Sequence, residues 1–175
     1  MSFPVFASGD VLNASDMNAV GLWLVKTQTI GSAVSSVAVT GAFSSDYDNY
    51  KIIISGGASS AQSFLTLQLG ASTTGYYYAN AGVTYAGAAF VGGASNGANF
   101  QAGSAFVANG LMANVELQNP FLAKYTFAQS SGMNTTFATP SVGYHGVATS
   151  YTGFTIAVLA GTMTGGTIKI YGYRN

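Results

Sequence analysis

The segment Phe64-Leu65-Thr66-Leu67-Gln68-Leu69 alternates apolar and polar side chains over its last five residues. On an extended strand, a period of two puts Leu65, Leu67 and Leu69 on one face and Thr66 and Gln68 on the other. A helix would scatter the three leucines around its circumference. The pattern recurs three times toward the C-terminus. Val115 and Leu117 oppose Asn114, Glu116 and Gln118; Phe154, Ile156 and Val158 oppose Thr155 and Ala157; Ile168 and Ile170 oppose Lys169 and Tyr171. One-sided burial of this kind belongs to antiparallel sheets. Gly-Gly, Ser-Gly, Asn-Gly and Thr-Gly pairs separate the segments, with strands recurring about every 8–12 residues, the spacing of a sandwich or barrel.

Read this way, strands are expected over 22–29, 34–40, 50–55, 63–69, 76–79, 83–86, 103–108, 112–118, 124–129, 135–139, 143–148, 154–160 and 167–173. The low-complexity stretch 86–105, mostly Gly, Ala, Ser and Asn, is expected to be a long loop, because such residues fill a core poorly. Residues 1–21 differ from the rest. Pro4 keeps Phe3 out of the helical region. Asn13 is a suitable N-cap, with Asp16 in the first turn, so a short helix is expected from Ala14 to about Val20, ended by Gly21. A helix of about two turns is not stable alone. The arm 1–21 is therefore expected to dock on a partner through Phe3, Val5, Phe6, Val11, Leu12 and Met17, and 22–175 to form the β domain.

Charge excludes several functions. Only 6% of the 175 residues are charged, five basic against five acidic, where an ordinary domain has about 25%. Five scattered cations do not neutralise a phosphate backbone, so nucleic acid is not an expected partner. The longest apolar runs, such as Leu22-Trp23-Leu24-Val25, fall far short of the roughly 20 residues that span a bilayer, so no membrane insertion is expected. The first residues carry neither a basic stretch nor an apolar run of leader length, and no export signal is expected. Solubility must come from hydroxyls and amides. A surface with so little charge tends to associate, which points to a subunit of an assembly.

Residues that could carry chemistry are few. His145, the one histidine, lies in Gly143-Tyr144-His145-Gly146 and reads as a turn or surface residue. No Gly-x-Ser-x-Gly elbow and no neighbouring acid support a Ser-His-Asp triad. A glycosidase pair would have to join Glu116 to Asp46 or Asp48. Asp46-Tyr47-Asp48-Asn49 begins like a carboxylate calcium loop, but lacks its later glycine and closing glutamate. A turn leading into Tyr50-Lys51-Ile52-Ile53-Ile54 explains it better. With no Cys and one His, zinc has no ligand set. No catalytic residue, metal or cofactor is expected. The tyrosines are more informative. Tyr76-Tyr77-Tyr78, Tyr85, Tyr144, Tyr151, Tyr171 and Tyr173 exceed what a core needs. Tyr joins an apolar body to a polar tip and suits interfaces and sugar rings. Tyr76, Tyr77, Tyr78, Tyr144 and Tyr151 are the candidate receptor or subunit contacts, on segments 73–82, 92–104 and 144–153.

Three segments resemble a known group. The opening Phe6-Ala7-Ser8-Gly9-Asp10-Val11-Leu12-Asn13-Ala14-Ser15-Asp16-Met17-Asn18 is similar to the start of tail-fibre and appendage proteins of tailed bacteriophages. Phe43 to Ile54 resembles a strand of small β-sandwich phage proteins, and Gly166-Thr167-Ile168-Lys169-Ile170-Tyr171-Gly172-Tyr173-Arg174 resembles their last strand. Together these cover about a fifth of the chain. The resemblance implies a non-enzymatic virion structural protein with a jelly-roll-like β-sandwich knob. It also implies a homotrimer, bound to other virion proteins through the arm and in contact with host surface carbohydrate. The fibre shaft of the group is missing here, which admits a short tail appendage, a baseplate-attached knob or a capsid or tail decoration (cement) protein. Outside the group, a small glycan-active enzyme or a cellular lectin are the alternatives.

Overall fold

The structure, a computed structural model, describes Gly9 and residues 21–173. Among these, all regular structure is β and there is no helix. The helix expected over 14–20 lies outside the described residues, as do the arm residues Phe3, Val5, Phe6, Val11, Leu12 and Met17.

The strands are β1 (Leu22–Thr29), β2 (Ser36–Val39), β3 (Asn49–Ser55), β4 (Ala58–Ser59), β5 (Ser63–Leu69), β6 (Tyr76–Thr84), β7 (Ala89–Gly97), β8 (Phe100–Phe106), β9 (Gly110–Gln118), β10 (Thr126–Met133), β11 (Phe137–His145), β12 (Phe154–Val158), β13 (Met163–Thr164) and β14 (Thr167–Tyr173). Twelve form one antiparallel sheet, and β4 and β13 form a small second one. The large sheet branches at β9. Along one edge, β9 pairs with β3, which continues to β14 and β1. Along the other edge its first half pairs with β8 and its second half with β10. One branch then runs β8-β5-β12-β2, the other β10-β11-β6-β7.

The alternation seen in the sequence decides which faces meet. Leu65, Leu67 and Leu69 of β5, Phe154 and Ile156 of β12, Val115 and Leu117 of β9, Ile52 and Ile54 of β3 and Ile168 and Ile170 of β14 are all buried in one apolar core. Burial of this many aliphatic side chains is the main term holding the fold together. Phe43 joins the two sides, with its ring 4.8 Å from Tyr50 and 5.6 Å from Phe154. β8 is buried on both faces. Phe100 and Ala105 meet the apolar core, while Gln101 and Ser104 meet the second branch, which curls over them.

Two of the resembling segments become neighbours. Phe43–Ile54 leads into β3, Gly166–Arg174 contains β14, and the two strands pair from Thr167↔Ser55 to Tyr173↔Asn49. The ring of Tyr47 lies over Gly172, where an added Cβ would sit 2.4 Å from Tyr47 Cγ. Gly172 is therefore the companion of Tyr47. Gly172→Ala should destabilise by about 1–3 kcal/mol through overpacking. Adding Tyr47→Ala should make the pair less than additive, as urea denaturation of the single and double variants will read.

The structure departs from the sequence reading in several places. Segment 86–105 is not a long loop: it holds all of β7 and most of β8. Gly and Ala lack packing side chains, yet their backbones satisfy a ladder as well as any. Segments 76–79 and 83–86 fuse into β6, and 135–139 and 143–148 into β11. The two halves of the antiparallel β domain are continuous through β9.

Candidate functional site

In the branch β10-β11-β6-β7 the usual polarity is reversed. The cross-strand register places Ser130, Ser141 and Asn80 side by side, with Thr126, His145 and Tyr76 in a second row. All six are buried. Phe127, Val142 and Tyr144 alternate with them and face outward, at 46%, 57% and 37% exposure. None of the four strands carries a Lys, Arg, Asp or Glu. The hidden face is held by hydrogen bonds as well as by the burial of Tyr76 and Ala128. Ser130 Oγ donates to the Gln101 carbonyl at 2.6 Å, Asn80 Nδ2 donates to Gln101 Oε1 at 2.9 Å, and the Met133 N–H donates to Ser104 Oγ at 2.7 Å. Asn80 Oδ1, Gln101 Nε2 and Thr126 Oγ1 remain buried without a partner, which costs stability.

The outward face continues across the molecule. Leu24, Tyr171, Lys51, Glu116, Gln129, Val142 and Ala79 follow one another in register from β1 to β6. Leu22, Tyr173, Asn49, Gln118, Phe127, Tyr144 and Tyr77 form the next row. At its β6 end, Tyr77, Tyr144 and Tyr125 stack in series, with centroids 5.0 and 5.7 Å apart and rings within 14° of parallel. Beside this stack lies an open groove of about 250 Å3 lined by Glu116, Gln118, Phe127, Ala128, Gln129, Val142 and Gly143. Its floor is apolar and its rim carries one carboxylate and two amides.

Glu116 is held in place. Lys51 Nζ donates to Oε1 at 2.6 Å, and Tyr173 Oη donates to Oε2 at 2.6 Å. Burial, and then the carboxylate it bonds, push the Tyr173 phenol up to about 12. This pairing occupies both oxygens of the glutamate that a glycosidase reading would use. Asp46 lies elsewhere, in the turn before β3, where Ser44 Oγ donates to its Oδ2 at 3.0 Å. The Asp48 carbonyl accepts from the Asn119 N–H. The turn expected from Asp46-Tyr47-Asp48-Asn49 is what forms. Among the described residues, no three or more His, Asp or Glu gather as metal ligands would.

The five tyrosines chosen from the sequence divide. Tyr77 and Tyr144 are on the outward face. Tyr76 is fully buried: the Leu69 N–H donates to its Oη at 2.7 Å, and Oη donates to the Ser72 carbonyl at 3.2 Å. Burial pushes this phenol up to about 12. Tyr151 is also buried, and Tyr78 faces inward against the core. Tyr76 and Tyr151 are core residues and offer no surface to a receptor. A run of three tyrosines on a strand must alternate faces, and nothing in the run itself says which residue goes inward. Tyr125, Phe127 and Val142 were missed because apolar residues that alternate with Thr126, Ala128 and Ser141 read as the inward side of a strand, whereas Phe127 and Val142 face outward.

His145 corrects another expectation. It is neither in a turn nor at the surface: it ends β11 with no exposure. Nε2 lies 2.9 Å from Ser72 Oγ and 3.0 Å from the Thr74 carbonyl, and Nδ1 lies 3.4 Å from Tyr151 Oη. Burial lowers its pKa. These contacts, with the Gly75 N–H bond to Asn96 Oδ1 and the Gly146 N–H bond to the Gly75 carbonyl, tie the loops of segments 73–82, 92–104 and 144–153 together. Comparison with protein-family models, curated proteins and solved structures gives no match for the chain.

Proposed function

We propose that this chain is a non-enzymatic structural subunit of a bacteriophage virion. In this reading it is a short tail appendage or baseplate-attached knob, fastened through residues 1–21 and turned toward host surface glycans. The curled sheet is read as a jelly-roll-like β-sandwich in which β1-β14-β3-β9 and β8-β5-β12-β2 enclose the apolar core. The observation that carries the reading is the outward face of β9, β10, β11 and β6. Its tyrosine stack and apolar groove, rimmed by Glu116, Gln118 and Gln129, suit a sugar, whose C–H faces pack on aromatic rings while its hydroxyls bond amides and carboxylates. The juxtaposition of β3 and β14 supports the phage resemblance, since the two resembling segments are coupled through Tyr47 and Gly172. The charge-free part of the outer face, on β10, β11 and β6, also favours a second reading, a capsid or tail decoration protein that covers this face with lattice subunits.

Two linked measurements test the reading. The chain lacking residues 1–21 should keep its β circular dichroism and fail to join particles. The purified full chain should slow host adsorption, and Phe127→Ala with Tyr144→Ala should remove that competition without unfolding. Full-chain protein that never competes, and that electron microscopy locates across the capsid lattice, would overturn the host-contact reading in favour of decoration.

A further inference from the structure

Among the described residues the large sheet has three edge strands, β1, β2 and β7. Two are blunted in the usual ways. β2 has only four residues. β1 carries Lys26 and an irregularity in register between Leu24 and Lys26. β7 is different: nine residues, Ala-Phe-Val-Gly-Gly-Ala-Ser-Asn-Gly, with no charge and no proline. The Thr84 N–H donates to the Ala88 carbonyl at 2.8 Å, which fixes the phase of the β6–β7 ladder. In an antiparallel pair, alternate residues turn their backbone groups to opposite sides. Phe90 and Gly92 therefore face β6, while the N–H and C=O groups of Ala89, Val91 and Gly93 point off the open edge. The side chain of Val91 is 79% exposed.

We propose that β7 pairs, antiparallel and about a two-fold axis at Val91, with β7 of a second copy of this chain. Ala89, Val91 and Gly93 of one copy then face Gly93, Val91 and Ala89 of the other, each pair exchanging N–H···O=C bonds. The partner is another copy because the edge is its own complement: a neutral strand opposes itself without like-charge repulsion, and the chain has zero net charge. The small residues let the backbones approach closely. A strand that pairs with its own equivalent closes at two copies. The three copies implied by the phage resemblance would have to form through another surface.

The chain has no cysteine, which makes a direct test available. A Val91→Cys pair would have Cα atoms about 5.5 Å apart, inside the disulfide range of roughly 4.4–6.8 Å. Mild oxidation should convert most of this variant to a covalent dimer. Val83→Cys, exposed on the neighbouring strand but off the edge, should not cross-link. By light scattering the unmodified chain should have twice the mass of the 17.8 kDa subunit. Val91→Lys and Val91→Pro, neither of which removes a bond to β6, should halve it with unchanged circular dichroism. A mass of one copy or three copies for the unmodified chain, equal cross-linking of both cysteine variants, or a dimer that survives both Val91 substitutions would overturn the proposal.

Discussion

Gly103→Ala is expected to unfold the chain or to cost about 3 kcal/mol or more, at the upper end of overpacking effects. Gly103 lies in β8 between Leu65 of β5 and Ala113 of β9. An added Cβ would sit 2.1 Å from the Met112 carbonyl oxygen and 2.8 Å from the Ala113 Cα. Both are backbone atoms, so no rotamer change relieves the contact, and β9 must move away from β8. That movement falls at the point where β9 passes from β8 to β10 and both branches depend on it. Gly92→Ala is the control. It is also a strand glycine, but a Cβ there meets nothing closer than 3.9 Å. It should change stability by no more than about 0.5 kcal/mol. Thermal and urea unfolding of the two variants will separate them, and equal effects would mean that β8 and β9 are not closely apposed at the branch.

His145→Ala should cost about 2–4 kcal/mol, because it leaves a cavity beside Tyr76 and strips partners from Ser72 and Tyr151. The ring centroids of His145 and Tyr76 are 4.4 Å apart. The same burial makes stability depend on pH. The folded pKa lies below the ordinary 6.5, so the unfolded chain takes up a proton that the folded chain resists. Its contribution is complete above about 6.5 and declines as pH falls from there toward the folded pKa. The melting temperature should be flat from about pH 8 to 7 and fall below that. His145→Gln, which does not titrate, should lack the slope between pH 7 and the onset of carboxylate protonation. A wild-type slope in that window that the glutamine variant retains would assign it to another group.

How much of this was legible depended on which face of a strand was apolar. β5 and β14 have the bounds the alternation predicts, because their buried side is aliphatic and their other side is not; β1 also has its expected bounds, although Leu22 and Leu24 lie on its exposed side. Asp46-Tyr47-Asp48-Asn49 follows a turn with a local cause, Ser44 Oγ accepting from the Asp46 N–H and donating to the Asp46 carboxylate. β7 stayed hidden because a strand of mostly Gly, Ala, Ser and Asn, with only Phe90 and Val91 among them, has no pattern for a reader to see; its place is decided by the ladder with β6. The faces of β10 and β11 were obscured by inversion. Ser130 and Ser141 are inside while Phe127 and Val142 are outside, and a rule that sends apolar residues inward assigns them backwards. His145 was misplaced for a related reason. Glycines at 143 and 146 suggest a turn, but Gly143 lies within β11, where a Cβ would meet the Tyr77 carbonyl oxygen at 2.2 Å. The two outward tyrosines of the candidate site were within reach of the sequence. The groove was not, since Glu116, Gln129 and Val142 meet only through pairings between separate strands.

The order of strands in the sheet has a consequence for how the protein is made. Among the described strands β14, the latest in sequence, lies between β1 and β3, two of the earliest. Until Thr167–Tyr173 is made, β1 and β3 wait with a gap between them that only β14 fills. The apolar core, which includes Ile168 and Ile170, therefore cannot close until the β14 segment has emerged. Folding also depends on contacts between segments far apart in sequence, the kind that form slowly. During that interval the low-charge segments are exposed to other nascent copies, so chaperone supply and synthesis rate should govern the yield of soluble protein.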